Sequence, residues 1–289
     1  MATADRSTSR RPTGGDPRNP TATGAGAQVT APVAALGTIL SIWAHPDDET
    51  YLAGGIMATA RDLGQRVVCA SATAGEHGTG DSGAWPPARL GRVRRWEAAA
   101  AMAVLGVTEH GILGLPDGGL ADRGHEGSAW VERLLGEVAP DTILTFGPDG
   151  MTHHADHIAV HRWVTGAWER LGRRPRLLYA TSTSEHLDRF GDHYDRWDVY
   201  MTDERPAGVP AGDLALHLRL DGQLLDRKLT ALRAMATQTG PAAAVLGPGA
   251  FADLVAEECF VDAGHGPRQG SAADTDAAGD GTRTAAPPP

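Results

Sequence analysis

The chain has 289 residues, of which 41% are hydrophobic and 21% charged, as is typical of a globular protein with one large core. Its formal net charge of −10 argues against nucleic acid and against an anionic membrane surface as partners, because both require a basic face. The two cysteines, Cys69 and Cys259, exclude a disulfide framework and a paired-thiolate zinc motif, and we therefore expect a cytoplasmic protein.

Both ends of the chain have the composition of disordered tails. Residues 1–35 are rich in Ala, Thr, Gly, Pro and Arg and lack the continuous apolar stretch of a secretory signal. Residues 264–289 have a similar composition, which buries too little apolar surface to offset the cost of ordering. We therefore expect one folded domain over residues 36–263, with no segment that spans a membrane.

The first strand and the first chemical motif are adjacent. Residues 37–44 form a short, mostly apolar run that predicts a buried strand, and it leads directly into Ala44-His45-Pro46-Asp47-Asp48-Glu49. No Gly-x-Gly-x-x-Gly turn follows this strand, so we expect no dinucleotide cofactor.

Strands and helices then alternate along the chain. The pattern predicts helices at 50–63, 88–105, 128–138 and 157–171, and strands at 66–73, 110–115, 141–146 and 176–181. Beyond Ser182 the pattern loosens into the segments 197–202 and 214–220 and two helices at about 221–237 and 249–258. This alternation predicts a Rossmann-like three-layer α/β/α sandwich with a mostly parallel sheet and a less regular C-terminal part.

A second polar cluster, His154-Ala155-Asp156-His157, follows the strand predicted at 141–146. The carboxyl ends of parallel strands meet at one edge of a sheet, so we expect both clusters to lie close together. Imidazoles and carboxylates without thiolates suit a divalent metal of the zinc type, with other divalent metals as alternatives. His45, Asp48 and His157 would supply three ligands for one ion per chain and leave a position open for water.

The remaining residues of the clusters suggest a hydrolytic mechanism. Asp47 is our candidate general base, because a carboxylate beside a metal-bound water can accept its proton. His154, held by Asp156, could donate to the oxyanion of a tetrahedral intermediate and protonate a leaving amine.

Structural interpretations of these residues remain open at this stage. Asp47 and Asp48 would also suit the N-terminus of a helix, where carboxylates satisfy free N–H groups. His161 and His153 are interpreted as neighbours of the site rather than ligands. The stretch Glu76-His77 either lines the site or forms a solvated turn.

These motifs resemble the LmbE-like, or PIG-L, deacetylase family. The first motif matches that family in full, and the second in all but Ala155, where the family commonly has proline. Further landmarks appear in the family's order: Ala74-Gly75-Glu76, Arg94-Arg95-Trp96-Glu97 with Leu105-Gly106, and Leu113-Gly114-Leu115-Pro116-Asp117-Gly118. The resemblance covers nearly the whole predicted core.

The resemblance implies zinc on His45, Asp48 and His157, with Asp47 as general base and His154 as oxyanion stabiliser. It also implies that Arg94 and Asp117 contact the substrate, although a solvated helix face and an ordinary turn are their structural alternatives.

We therefore predict a zinc-dependent hydrolase that removes an N-acetyl group from a small-molecule amino sugar of the N-acetylglucosamine type. The alternative is an amidase that cleaves a cysteinyl or peptide-like amide of a thiol conjugate. A sugar-binding module without activity fits less well, because binding alone does not need Asp47 beside a metal.

Overall fold

The computed structural model describes residues 25–264, with side chains from residue 30 onward. The structure begins with helix α1 (Ala25–Ala34), which occupies the last part of the tail expected over residues 1–35. Val33, near the end of this helix, and Leu36, just after it, are fully buried in the core. Residues 1–24 and 265–289 lie outside the described part of the chain.

The remaining elements confirm the predicted alternation of strands and helices over the first two thirds of the chain. In chain order they are β1 (Ile39–Trp43), α2 (Asp48–Asp62), β2 (Val67–Thr73), α3 (Pro87–Leu105), β3 (Glu109–Leu115), α4 (Gly124–Val138), β4 (Thr142–Phe146), α5 (Ala155–Arg170), β5 (Arg176–Thr181), α6 (Ser184–Arg196), β6 (Leu216–Arg219), α7 (Gly222–Ala234), α8 (Ala236–Val255) and β7 (Glu257–Asp262).

Seven strands form one mixed sheet in the order β3-β2-β1-β4-β5-β7-β6. The first five strands are parallel, and β7 runs antiparallel to both β5 and β6. Every residue of β1 and β4 is buried, as expected for central strands covered on both faces. Helices α2, α3 and α7 pack on one another, and α4 packs on α5. The α/β fold class predicted from the sequence is thus confirmed.

The C-terminal part differs from the sequence prediction in detail. A helix was expected at about 249–258, but α8 ends at Val255 and residues 257–262 form strand β7. The charged residues Glu257 and Glu258 interrupt the apolar pattern that would otherwise predict a strand here. Glu258 is nevertheless buried, because a specific side chain pairs with it. Helix α6 was not predicted either. Residues 197–202 form turns and irregular backbone instead of a regular element.

Within residues 25–264, no helix combines the length and the apolar character needed to cross a membrane.

Candidate active site

The two predicted clusters meet at the carboxyl edge of the sheet. His45 follows β1, and the loop after β4 leads to His154 and His157 at the start of α5. Strands β1 and β4 are neighbours, while β2 lies on the other side of β1, so the chain leaves these strands in opposite directions. Ligands of open parallel sheets bind in the crevice at such a switch point.

His45, Asp48 and His157 form a tight group of potential ligand atoms. The Nδ1 atom of His45 lies 3.2 Å from Nε2 of His157. The carboxylate of Asp48 places Oδ2 at 3.6 Å from the first nitrogen and Oδ1 at 3.5 Å from the second. His154 lies beside them, with a ligand atom within 4.8 Å of those of both histidines.

Outer hydrogen bonds orient the two rings. His157 donates through Nδ1 to the carbonyl oxygen of Gly150 at 2.8 Å, which leaves the lone pair of Nε2 free. On His45 it is Nε2 that faces carboxylates, at 3.0 Å from Asp117 and 3.4 Å from Asp156. In the neutral ring the proton is therefore on Nε2, and the Nδ1 lone pair points toward His157. Outer partners of this kind fix the tautomer of metal-binding histidines.

The donor set fits a tetrahedral metal ion. Two nitrogens bound at about 2.0–2.1 Å to a tetrahedral zinc would lie about 3.3 Å apart. If both rings are neutral, two lone pairs face each other, and a 3.2 Å separation then suits a metal cation between them; with His45 protonated, its Nδ1–H donates to Nε2 of His157 at the same place. The described residues thus contain a group that could hold a metal ion.

Asp47 occupies a strained position immediately before α2. Its φ angle is +124°, a region that residues other than glycine rarely adopt, and such strain is common at functional sites. Its backbone N–H donates to Glu49 at 3.1 Å. Arg94 donates to the carbonyl of Pro46 and approaches the Asp47 carboxylate at 3.2 Å. These bonds hold the carboxylate beside the metal-ligand group.

Burial raises the pKa of Asp47 to about 6, with Asp48 acting in the same direction and Arg94 opposing the shift. Burial also acts to raise the pKa of Asp48, but His157 and His45 outweigh it and lower that pKa to about 2. The neighbouring Glu49 is buried beside Asp47, which raises its pKa to about 8. The three adjacent carboxyl groups of the first motif therefore lose their protons at different pH values.

The histidines also differ from one another. Burial lowers the pKa of His157 to about 4, only partly offset by Asp48. For His45 burial acts downward too, but the carboxylates of Asp117, Asp156 and Asp48 together raise its pKa well above the ordinary value. A cation is therefore favoured at the centre of this group, whether an imidazolium or a metal ion.

His154 has the tautomer needed for a hydrogen-bond donor. Its Nδ1 accepts from the backbone N–H of Asp156 at 3.1 Å, so the proton of the neutral ring resides on Nε2. Burial and the nearby His45 lower the pKa of His154. A neutral ring that donates through Nε2 is consequently favoured at the edge of the cavity.

Asp156 holds His154 only through its backbone. We expected the carboxylate to do so, but that group accepts from the N–H of Gly118 at 2.7 Å and of Leu120 at 3.0 Å. Its Oδ2 also faces His45. Asp156 therefore joins the loop after β3 to the metal-ligand group.

Arg94 and Asp117, the two expected substrate contacts, both border the cavity and are both engaged by the protein. Arg94 is 3% exposed and donates to the carbonyl of Gly75 at 2.6 Å in addition to its bonds at Pro46 and Asp47. Asp117 faces His45 with one oxygen and accepts from the N–H of His77 with the other, at 2.8 Å. That either one contacts substrate stays a prediction.

The neighbouring residues are placed as follows. His161 donates through Nδ1 to the carbonyl oxygen of Phe146 at 3.0 Å, and in the part of the chain that the structure describes it belongs to no group of potential metal ligands. His153 has Nδ1 3.9 Å from a carboxylate oxygen of Glu204, and it too is absent from the ligand groups found among the described residues. Glu76 accepts from the N–H of Asp117 at 3.0 Å, so the Glu76-His77 stretch supports the site instead of forming a solvated turn.

Two supporting contacts have no signal in the sequence. Phe146, the last residue of β4, stacks on the ring of His157 with centroids 4.1 Å apart and planes at 10°. The contact between Asp117 and His45 joins residues 72 positions apart through an irregular loop. Only the order of family landmarks singles out Asp117 in the sequence.

The metal-ligand group opens into one cavity of about 780 Å³. That volume lies within the range of about 300–1,000 Å³ that is usual for small-molecule sites. Asp47, His154 and Asp117 border it on the polar side. The cavity is large enough for a sugar with a further substituent.

Comparison with known proteins identifies the family. A family model described as GlcNAc-PI de-N-acetylase, PIG-L, matches residues 40–168. The chain is 35% identical over 274 residues to 1D-myo-inositol 2-acetamido-2-deoxy-alpha-D-glucopyranoside deacetylase of Saccharomonospora viridis, which covers 82% of this chain and 98% of that protein. The chain belongs to the PIG-L family. A protein of the same name from Rhodococcus opacus is 32% identical over 69% of this chain and 81% of its own length.

Solved structures share the PIG-L fold of this chain. N,N'-diacetylchitobiose deacetylase from Pyrococcus horikoshii superimposes with a TM-score of 0.54 at 19% identity, over 81% of this chain and 86% of that one. The 4-carboxy-2-hydroxymuconate hydratase of Pseudomonas putida gives the same TM-score at 17% identity, over 79% and 96%. Because a hydratase shares this fold, the proposed chemistry rests on the site and on the closer relatives.

Proposed function

We propose that this PIG-L family protein is a zinc-dependent deacetylase that removes the acetyl group from the nitrogen of an N-acetylglucosamine-type sugar. The observation that carries the proposal is the spacing of His45, Asp48 and His157, which matches the edges of a tetrahedral metal site with Asp47 beside it. The named inositol-glycoside deacetylases at 32–35% identity support the substrate class.

In this proposal His45 Nδ1, His157 Nε2 and the Asp48 carboxylate hold one zinc ion. Zinc in such a site supplies Lewis acidity and lowers the pKa of a bound water toward about 7. Asp117 and Asp156 orient His45, and Gly150 orients His157, so the ligand nitrogens are in place before the ion binds.

The protein's own residues then carry out the proton transfers. Asp47 accepts a proton from the water that attacks the acetamide carbonyl, and Arg94 keeps its carboxylate oriented. His154 donates through Nε2 to the oxyanion of the tetrahedral intermediate. When the carbon–nitrogen bond breaks, Asp47 returns the proton to the leaving amine, and acetate and a free amino sugar result. His154 was expected to protonate the leaving amine, but a neutral ring has one proton, on Nε2, and in this proposal that proton stays with the oxyanion. We therefore assign the last transfer to Asp47, which holds the proton taken from water.

The test is a measurement of acetate and free amine released from N-acetylglucosaminyl glycosides, the inositol glycoside among them, by zinc-loaded protein. We expect stoichiometric release of both products, and we expect a chelator to abolish it. Release of amine from cysteinyl amides, with none from any acetylated sugar, would overturn the proposal in favour of the amidase alternative.

A further inference from the structure

One wall of the active-site cavity is built from aromatic and aliphatic side chains. Helix α6, the segment after it and the first half of α8 supply most of this wall, and α2 adds one residue. Its principal members, which we call the apolar wall, are Tyr51, Tyr194, Trp197, Tyr200, Met201 and Val245. The polar groups of the metal-ligand site border the same cavity, so one ligand can touch both.

The inner part of the apolar wall packs against the protein interior. Tyr51, Tyr194 and Trp197 are half-buried and pack against a second hydrophobic cluster that includes Phe190 and Leu254. The rings of Tyr194 and Trp197 meet edge to face, with centroids 6.5 Å apart. A ligand would therefore meet a fixed surface rather than mobile side chains.

The outer part of the apolar wall is exposed to solvent. Met201 is 55% exposed and Val245 is 71% exposed. Among residues 30–264, these are two of only five large hydrophobic residues with such exposure, and both border this cavity. Exposed apolar side chains that border a site offer surface to an apolar ligand.

Four polar side chains that border the cavity beside this wall, those of Tyr194, His186, Thr183 and Glu257, already have side-chain partners. The hydroxyl of Tyr194 lies 2.8 Å from Nε2 of His186. Thr183 donates to Glu257 at 3.2 Å, and Glu257 also accepts from Arg219 at 2.9 Å. A polyol placed against these four groups would lose hydrogen bonds to water and would have to compete with their present partners, which is costly for each hydroxyl left unpaired.

We propose that the apolar wall binds an alkyl or aryl substituent on the sugar, so that the preferred substrate is an amphipathic N-acetylglucosaminide rather than an inositol glycoside. The inference rests on the deacetylase function proposed above. The acetamide occupies the end of the cavity with His45 and His157, and the substituent extends along the wall toward Val245.

A series of substrates that differ only in this substituent tests the proposal. The hexyl, methyl and inositol glycosides of N-acetylglucosamine are compared with zinc-loaded protein. Each buried methylene contributes about a fourfold gain in binding, so two or three in contact with the wall should raise kcat/KM at least about tenfold from methyl to hexyl. The hexyl glycoside should also exceed the inositol glycoside.

Exposed wall residues provide the matching variants, because their removal leaves the core intact. In Met201→Ser/Val245→Ser the hexyl advantage should fall to threefold or less, while the methyl glycoside keeps its kcat/KM. Trp96→Ser is the control, since Trp96 is 74% exposed on α3 and lies outside the cavity. That variant should keep the full advantage.

Binding of hexyl glucoside, which has no acetamide, gives a readout that does not depend on turnover. Calorimetry should detect it with the wild type and find at least about tenfold weaker binding with the double variant. If the methyl and hexyl glycosides are deacetylated equally well, or the inositol glycoside is preferred, the wall proposal is overturned and the deacetylase function stands. If no glycoside is deacetylated but hexyl glucoside binds at the wall, the proposed function fails instead.

Discussion

Lys228 and Glu258 form an ion pair whose side chains are both fully buried, with Nζ 2.7 Å from Oε1. The pair also bonds the middle of α2: Lys228 donates to the carbonyl of Tyr51, and Glu258 accepts from the N–H groups of Gly55 and Ile56. Helix α2 begins at Asp48, so the ion pair joins the helix of a proposed metal ligand to α7 and β7.

Breaking this ion pair should destabilise the protein strongly. Lys228→Met leaves the Glu258 carboxylate buried without its partner, and we expect the free energy of unfolding to fall by about 3–5 kcal/mol. Urea denaturation measures the change. Glu132→Gln is the control, because its ion pair with Arg170 is about half exposed and should contribute far less. Equal losses in both variants would contradict the role given to Lys228.

Metal content should depend on the three proposed ligands. We expect about one zinc ion per chain in the wild type and a strongly reduced content in His45→Ala and His157→Ala, because two donors do not complete the site. His161→Ala is the control, since His161 bonds to Phe146 and not to the ligand group. Full zinc occupancy in His45→Ala/His157→Ala, measured by metal analysis, would show that the ion binds elsewhere.

Asp47→Asn should separate catalysis from metal binding. An amide has nearly the same shape but cannot accept the water's proton, so we expect kcat to fall by about two orders of magnitude or more. Zinc content and the unfolding midpoint should stay close to wild type. A variant that keeps its turnover at saturating substrate would make Asp47 a structural residue of the turn before α2.

Gly75→Ala should impair the enzyme through Arg94. A Cβ at Gly75 would lie 2.1 Å from Nη1 of Arg94 and displace the guanidinium that holds Asp47. We expect kcat/KM to fall roughly 10- to 100-fold, because small misplacements of a catalytic group are costly.

Gly64→Ala is the matched control for this displacement. Gly64 also has positive φ, but a Cβ there meets no atom within 4 Å. Both variants should lose about 1–2 kcal/mol of stability from the unfavourable backbone conformation. Only Gly75→Ala should lose activity, and equal activity in the two variants would argue against the positioning role of Arg94.

The sequence predicts the meeting of His45 and His157 because it rests on a general rule about parallel strands. No such rule predicts the contacts of Arg94. An arginine in an Ala-rich helix is usually exposed to solvent, so the pattern alone predicts an exposed Arg94. Its burial depends on the position of the turn at Gly75. Likewise, the sequence pattern assigns the start of β7 to the preceding helix, because it does not show that Lys228 neutralises Glu258. Local pattern thus predicts elements and strand ends, while loop paths and buried charge pairs depend on tertiary packing.

The two sides of the cavity come from different parts of the chain. The proposed chemical residues lie between His45 and His157, whereas the apolar wall comes mostly from residues 194–245, beyond the segment that the family model matches. Substitutions in residues 194–245 can therefore alter which glycoside is bound while the residues that carry out the reaction are preserved. Mutation of α6, the segment after it and α8 would in this way redirect the same chemistry to new glycosides.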